Sequence, residues 1–97
     1  MKTIKLARWD ASEELKSDED CALYLQAIID EADGDEKLIA AALGDIARAR
    51  GMMQVARDSG LAREALYRSL SADGNPSFAT VLKVTKALGL KITIGLA

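Results

Sequence analysis

The stretch Met53-Gln54-Val55-Ala56-Arg57-Asp58-Ser59-Gly60-Leu61-Ala62-Arg63-Glu64-Ala65-Leu66-Tyr67-Arg68, followed by Gly74-Asn75-Pro76-Ser77, decides the fold. Two short helices cross steeply only where a small side chain marks their closest approach, and Ala56 supplies it on the first. The chain must then reverse through a position that tolerates a positive φ. Gly60, four residues after Ala56, has no Cβ to oppose that. Leu66, six residues beyond Gly60, points the second helix back into the core. Its outward face carries Arg63, Glu64, Tyr67 and Arg68, and i, i+4 spacing sets Arg63 beside Tyr67 and Glu64 beside Arg68.

Composition sets the frame for this motif. Ninety-seven residues with 49% hydrophobic content close one core and leave little room for a cavity and a lid. Aromatics are scarce while Ala and Leu abound, so closely packed helices are expected rather than a β-sandwich. No apolar run is long enough to span a bilayer, and Met1-Lys2-Thr3-Ile4-Lys5 has no apolar stretch after it, so a cytoplasmic chain without membrane contact is expected. One cysteine, Cys21, and no histidine argue against an internal disulfide, a metal site and any cofactor.

The net charge of −2 conceals a division. Residues 1–45 hold five Lys/Arg and twelve Asp/Glu, about −7, whereas residues 46–97 hold eight and three, about +5. A nucleic-acid surface needs local positive potential rather than a basic average. The basic half contains the motif.

Along the chain, residues 2–9 alternate loosely as a short strand or an extended arm, Asp10 is a cap candidate, and Ala11–Leu15 could form one helical turn. Residues 1–17 therefore read as an N-terminal arm and 18–97 as a single globular domain. Ser17 or Asp18 caps a helix to Ala32, with Leu23, Tyr24, Ala27, Ile28 and Ala32 at core spacing. After Asp33-Gly34-Asp35, a helix from about Glu36 to Arg50 turns Leu38, Ile39, Ala42, Leu43 and Ile46 inward until Gly51 stops it. The motif helices span about 53–59 and 62–70. Ser77 caps a helix of about 78–88 that presents Phe78, Val81, Leu82, Thr85 and Leu88 to the core, and Gly89 closes it. Lys91-Ile92-Thr93-Ile94 alternates and is β-branched, which predicts a short terminal strand partnered by the arm or by a second copy.

Residues 46–90 resemble the Xre/Cro-type helix-turn-helix family. The longer run Ala41-Ala42-Leu43-Gly44-Asp45-Ile46-Ala47-Arg48-Ala49-Arg50-Gly51-Met52, continued by Leu66-Tyr67-Arg68 and Gly74-Asn75-Pro76-Ser77-Phe78-Ala79-Thr80-Val81-Leu82-Lys83-Val84, is similar to its addiction-module antidote branch, the HigA-like antitoxins. The resemblance covers nearly all of the chain after Asp18. It implies an all-α, five-helix lambda-repressor-like domain with an added N-terminal helix and short terminal strands. It further implies a homodimeric autorepressor on double-stranded operator DNA that binds and neutralises a RelE-like toxin. The alternative is a stand-alone Xre-type transcriptional regulator without a toxin.

This sequence departs from the wider family pattern at two places. An arginine on the first helix and a glutamate after the recognition helix commonly pair, and those places hold Ala47 and Leu70. Both partners are absent together, and an apolar pair replaces a buried ion pair without loss of stability. Ala62 stands where a Ser or Thr usually caps the recognition helix, which removes about 1 kcal/mol of capping and a phosphate-contacting hydroxyl.

Six residues are DNA-binding candidates, each with a plainer reading. The resemblance places Gln54 at a helix N-terminus touching a phosphate or base, against a surface glutamine. Arg63 suits a bidentate contact to guanine or a phosphate contact, against a solvated charge. Glu64 accepts from cytosine N4 or only pairs with Arg68, itself suited to the backbone. Tyr67 stacks on sugar or a thymine methyl, or is half core. Asn75 is a turn residue within reach of a phosphate.

Elsewhere plain roles prevail. Cys21 reads as packing, Trp9 as a small-core plug or an interface anchor, and Asp30, Glu31, Asp33, Asp35 and Glu36 as a solvated helix end rather than a calcium loop. Gly44, Gly51, Gly60 and Gly74 form no phosphate loop. No catalytic set is visible, so an enzyme is not expected.

Overall fold

Ser17 opens the first helix through a capping box: its Oγ accepts from the Asp20 N–H at 3.1 Å while the Asp20 carboxylate accepts from the Ser17 N–H at 3.2 Å. The computed structural model describes residues 15–71 and 73–97, in which five helices follow one another: α1 Asp18–Ala32, α2 Glu36–Arg50, α3 Met52–Ser59, α4 Arg63–Ser69 and α5 Phe78–Ala87. The expected strand or arm at 2–9, the cap Asp10, most of the 11–15 turn and Trp9 lie outside the described residues. Leu15, at their edge, is buried but not helical.

The expected breakers act where the sequence places them. Asp35 caps α2, accepting from the Lys37 N–H at 3.0 Å, and Gly51 ends it at φ 102°. Gly60 ends α3 at φ 77°, its N–H donating to the Ala56 carbonyl at 3.0 Å, so the turn uses the left-handed conformation that favours glycine. No side chain caps α4 at Ala62. Ser77 caps α5 through a 3.1 Å bond from the Thr80 N–H.

The core gathers one face from every helix: Cys21 of α1, Leu43, Ile46 and Ala47 of α2, Met52 and Val55 of α3, Leu66 of α4, and Val84 of α5, joined by Leu70 and Leu88. Leu66 is wholly buried, as the motif requires. Ala47 and Leu70, the two positions at which the sequence departs from the pattern it resembles, are both buried in this cluster.

Several inward assignments need correction. On α1 the buried line runs Cys21, Tyr24, Leu25, Ile28 and Ala32, at i, i+3, i+4, i+7 and i+11. Leu23 and Ala27 fall on the opposite side, and Leu23 is 71% exposed. On α2, Ala40, Leu43 and Ala47 define the buried line and leave Leu38 exposed. On α5, Val84, Thr85 and Leu88 are inward, whereas Phe78 and Leu82 are exposed on a flank. Lys91–Ile94 forms no strand among the described residues, because no neighbouring segment bonds to its backbone.

Between α1 and α2 the contact is fastened by polar groups. The Tyr24 hydroxyl donates to Asp45 at 2.7 Å, Asp45 also holds Arg48, and Arg50 at the end of α2 pairs with Asp18 at the start of α1. Each charge of this last pair sits at the helix end whose dipole favours it. Burial foremost, then the hydrogen bond and charge of Asp45, push the Tyr24 phenol well above the usual tyrosine range.

Candidate nucleic-acid interface

With α4 anchored through Leu66 and Leu70, positions off that buried line are turned away from the core. Arg63, Glu64, Tyr67 and Arg68 are all exposed. Arg63 lies over the Tyr67 ring, its guanidinium 5.7 Å from the ring centre, so the aromatic face holds the cation extended from the first turn of the helix. Together with Ala62 and Glu64 these two line a shallow open depression. The expected Glu64–Arg68 pair does not form: among the described residues the ion pairs are Arg48–Asp45 and Arg50–Asp18. The spacing permits contact, but both side chains are exposed and do not come within ion-pair distance of each other.

Gln54 occupies the first turn of α3, where its amide is engaged on both sides. Its Nε2 donates to Asp58 at 2.8 Å and its Oε1 accepts from Arg57 at 2.9 Å. Asn75 is exposed, but it lines a small apolar cavity against α2 with Glu36, Ile39, Ala40, Pro76 and Val81, a cavity that no other candidate lines. The structure thus joins Arg63, Glu64 and Tyr67, leaves Gln54 in a separate cluster on α3, and sets Asn75 against α2.

The sequence reading missed two places. Arg57 braces Gln54, a relation that i, i+3 spacing on α3 could have revealed. Lys83 and Lys86 of α5 line an open cleft with Asp58 and Ser59 at the end of α3, which only the packing of α3 on α5 brings about. Arg48 and Arg50 are engaged in ion pairs within the α1–α2 region; of the other exposed cations among the described residues, Arg57, Arg63, Arg68, Lys83 and Lys86 lie on the motif helices and α5, while Lys16, Lys37 and Lys91 lie outside them.

The described residues form a small all-α domain whose five helices are compatible with the helix-turn-helix class. Residues 5–96 match the family described as probable addiction module antidote protein, and the chain belongs to that family. Membership supports an antitoxin role with a toxin as partner, in a family that is typically non-enzymatic. The chain is also similar to an uncharacterized protein of Haemophilus influenzae, 52% identical over 92 residues that cover 95% of this chain and 93% of the relative. No solved structure matches the chain. Among the described residues no helix is long and apolar enough to cross a membrane.

Proposed function

We propose that the chain is the antitoxin of a type II toxin–antitoxin module, a HigA-like member of the Xre-type helix-turn-helix class. It binds operator DNA as a dimer to repress its own transcription, and it neutralises a RelE-like toxin by direct binding. The observation that carries the DNA reading is the outward face of α4, where Arg63 is held over Tyr67 beside an exposed Glu64 while Leu66 fixes the opposite side in the core. A short helix held in this way suits insertion into a major groove, with a planar guanidinium for guanine and a carboxylate for cytosine. Gln54, Arg68 and Asn75 take phosphate-contacting roles in this reading, supported by exposure alone. Support for the toxin reading comes from the family and from the excess of carboxylates over residues 1–45, which steers a basic partner.

Two measurements test the two halves separately. A gel-shift titration on DNA upstream of the chain's own gene, at fixed salt, should show saturable sequence-selective binding; equal affinity for unrelated duplex would overturn the repressor. A pull-down with the product of the adjacent gene should give a stoichiometric complex. Its absence would leave a stand-alone regulator.

A further inference from the structure

Beyond α5 the chain exposes apolar surface that no other segment among the described residues pairs with. The Leu90 N–H donates to the Thr85 carbonyl at 2.9 Å, and residues 91–97, all exposed, make no backbone–backbone hydrogen bond among the described residues. Leu90, Ile92, Ile94 and Leu96 alternate with Lys91, Thr93 and Gly95, and Ile94 is 94% exposed. The start of this segment lines a groove of about 160 Å³ against α1, where Leu25 and Ile29 meet Thr85, Leu90 and Ile92. Leu82 lies one turn before Thr85 and Phe78 one turn before Leu82, so the exposed flank of α5 leads into the same groove. The exposed fractions of Phe78, Leu82, Ile29, Ile92, Ile94 and Leu96 amount to about four complete apolar residues. That is on the order of 700 Å², close to the roughly 800 Å² each partner contributes to a standard-size interface.

We propose that residues 90–96 pair antiparallel with the same segment of a second copy, about a two-fold axis at Thr93. The segment is self-complementary in this register. Leu90 then lies across from the partner's Leu96 and Ile92 across from the partner's Ile94, so one face of the ribbon is continuously apolar. The other face sets Thr93 against its own copy and each Lys91 across from a glycine, which keeps the two lysines at opposite ends. A register displaced by one residue sets Ile92 against Gly95 and Ile94 against Thr93 and breaks the apolar face. The backbone groups of 91–96 gain partners, and a flat apolar edge carrying one lysine and no proline is covered. This deepens the dimer part of the proposed function and does not depend on operator binding.

Cysteine substitution in the full chain tests the register, since residues directly opposed across a ribbon bring their Cβ atoms within about the reach of a disulfide. Mild oxidation of Thr93→Cys should give a covalent dimer, whereas Lys91→Cys, whose opposite is Gly95, should remain uncrosslinked. Ile94→Asp, at a position open to solvent in the single copy, should keep its helical circular dichroism. By sedimentation it should be monomeric at concentrations where the parent chain is dimeric. A dimer that survives Ile94→Asp with no Thr93→Cys crosslink overturns the proposal. So does a monomeric parent whose residues 91–96 show nuclear Overhauser contacts to residues 2–9, or become protected from exchange only when the adjacent gene's product is added. A crosslinked dimer indifferent to operator sequence supports the proposal and overturns the repressor reading instead.

Discussion

Gly44, in the middle of α2, lies directly against the backbone carbonyl of Leu70 at the end of α4; a Cβ there would fall well inside van der Waals contact with that oxygen. The absence of a side chain on one helix thereby sets how deeply the end of α4 sits. Gly44→Ala should destabilise the fold by about 1–3 kcal/mol, because the obstructing atom belongs to the backbone and outweighs the helix propensity that alanine adds. Urea denaturation followed by circular dichroism measures it, and an unchanged or higher midpoint would contradict this packing.

Leu66→Ala removes the wholly buried anchor of α4 and should cost about 2–5 kcal/mol. The same denaturation series, with the unfolding slope checked for constancy, gives the value. A loss below about 1 kcal/mol would place Leu66 outside the core.

Tyr24 links stability to alkaline pH. Its phenol is held above the unfolded value by burial and by the carboxylate of Asp45, so the folded state keeps the proton longer than the unfolded chain does. The contribution is therefore complete below about pH 10, the unfolded tyrosine value, and is lost as pH rises beyond it. In the absorbance titration of the native chain the last phenol to ionise should vanish in Tyr24→Phe. If both chains lose stability equally above about pH 10, the linkage is absent.

Cys21 should be inert in the native state. Its side chain is 2% exposed, and burial, reinforced by Asp18 and Asp20 against the opposing Arg50, pushes the thiol up. A thiol-specific disulfide reagent at neutral pH should react at a rate set by opening of the fold and promptly in denaturant. Immediate stoichiometric reaction of the folded chain would be the contrary result.

On DNA, Arg63→Ala should weaken operator binding by about 1–3 kcal/mol and relax preference at one base pair. Arg63→Lys should recover little of it, since the ammonium lacks the planar fork and the stacking on Tyr67. Arg68→Ala should weaken all sequences alike and lower the salt slope by about one. Fluorescence anisotropy across a salt series separates the two patterns, and identical behaviour of both alanine variants would refute the division of roles.

The motif was legible because its requirements are local. A small residue at Ala56, a left-handed turn at Gly60 and an inward leucine at Leu66 are each dictated within a few residues, and the caps Ser17 and Ser77 follow the same logic. What the sequence left open is decided at longer range. Helical spacing could not choose between Leu23 and Cys21 on α1, because apolar residues lie on both sides and only the docking of α2 selects one. On α5, Phe78 and Leu82 extend the apolar arc beyond what α3 covers. The alternation at 91–94 is real, but a strand exists only with a partner. Lys83 and Lys86 come to line one cleft with Asp58 through tertiary packing, which no periodicity encodes.

The attachment of α1 has a consequence for how the molecule comes apart. This helix docks chiefly on α2 through Cys21, Tyr24 and the Asp18–Arg50 clasp, while Ile46, Val55, Leu66 and Val84 hold one another without it. Asp18–Ala32 can open only by giving up its contact with α2, the broadest between any two helices of the described residues, so the amides of these two helices are expected to gain protection together. The carboxylates along α1 and the cations of α3, α4 and α5 are thus tied to one another through α2, so both signs of charge depend on the seating of a single helix.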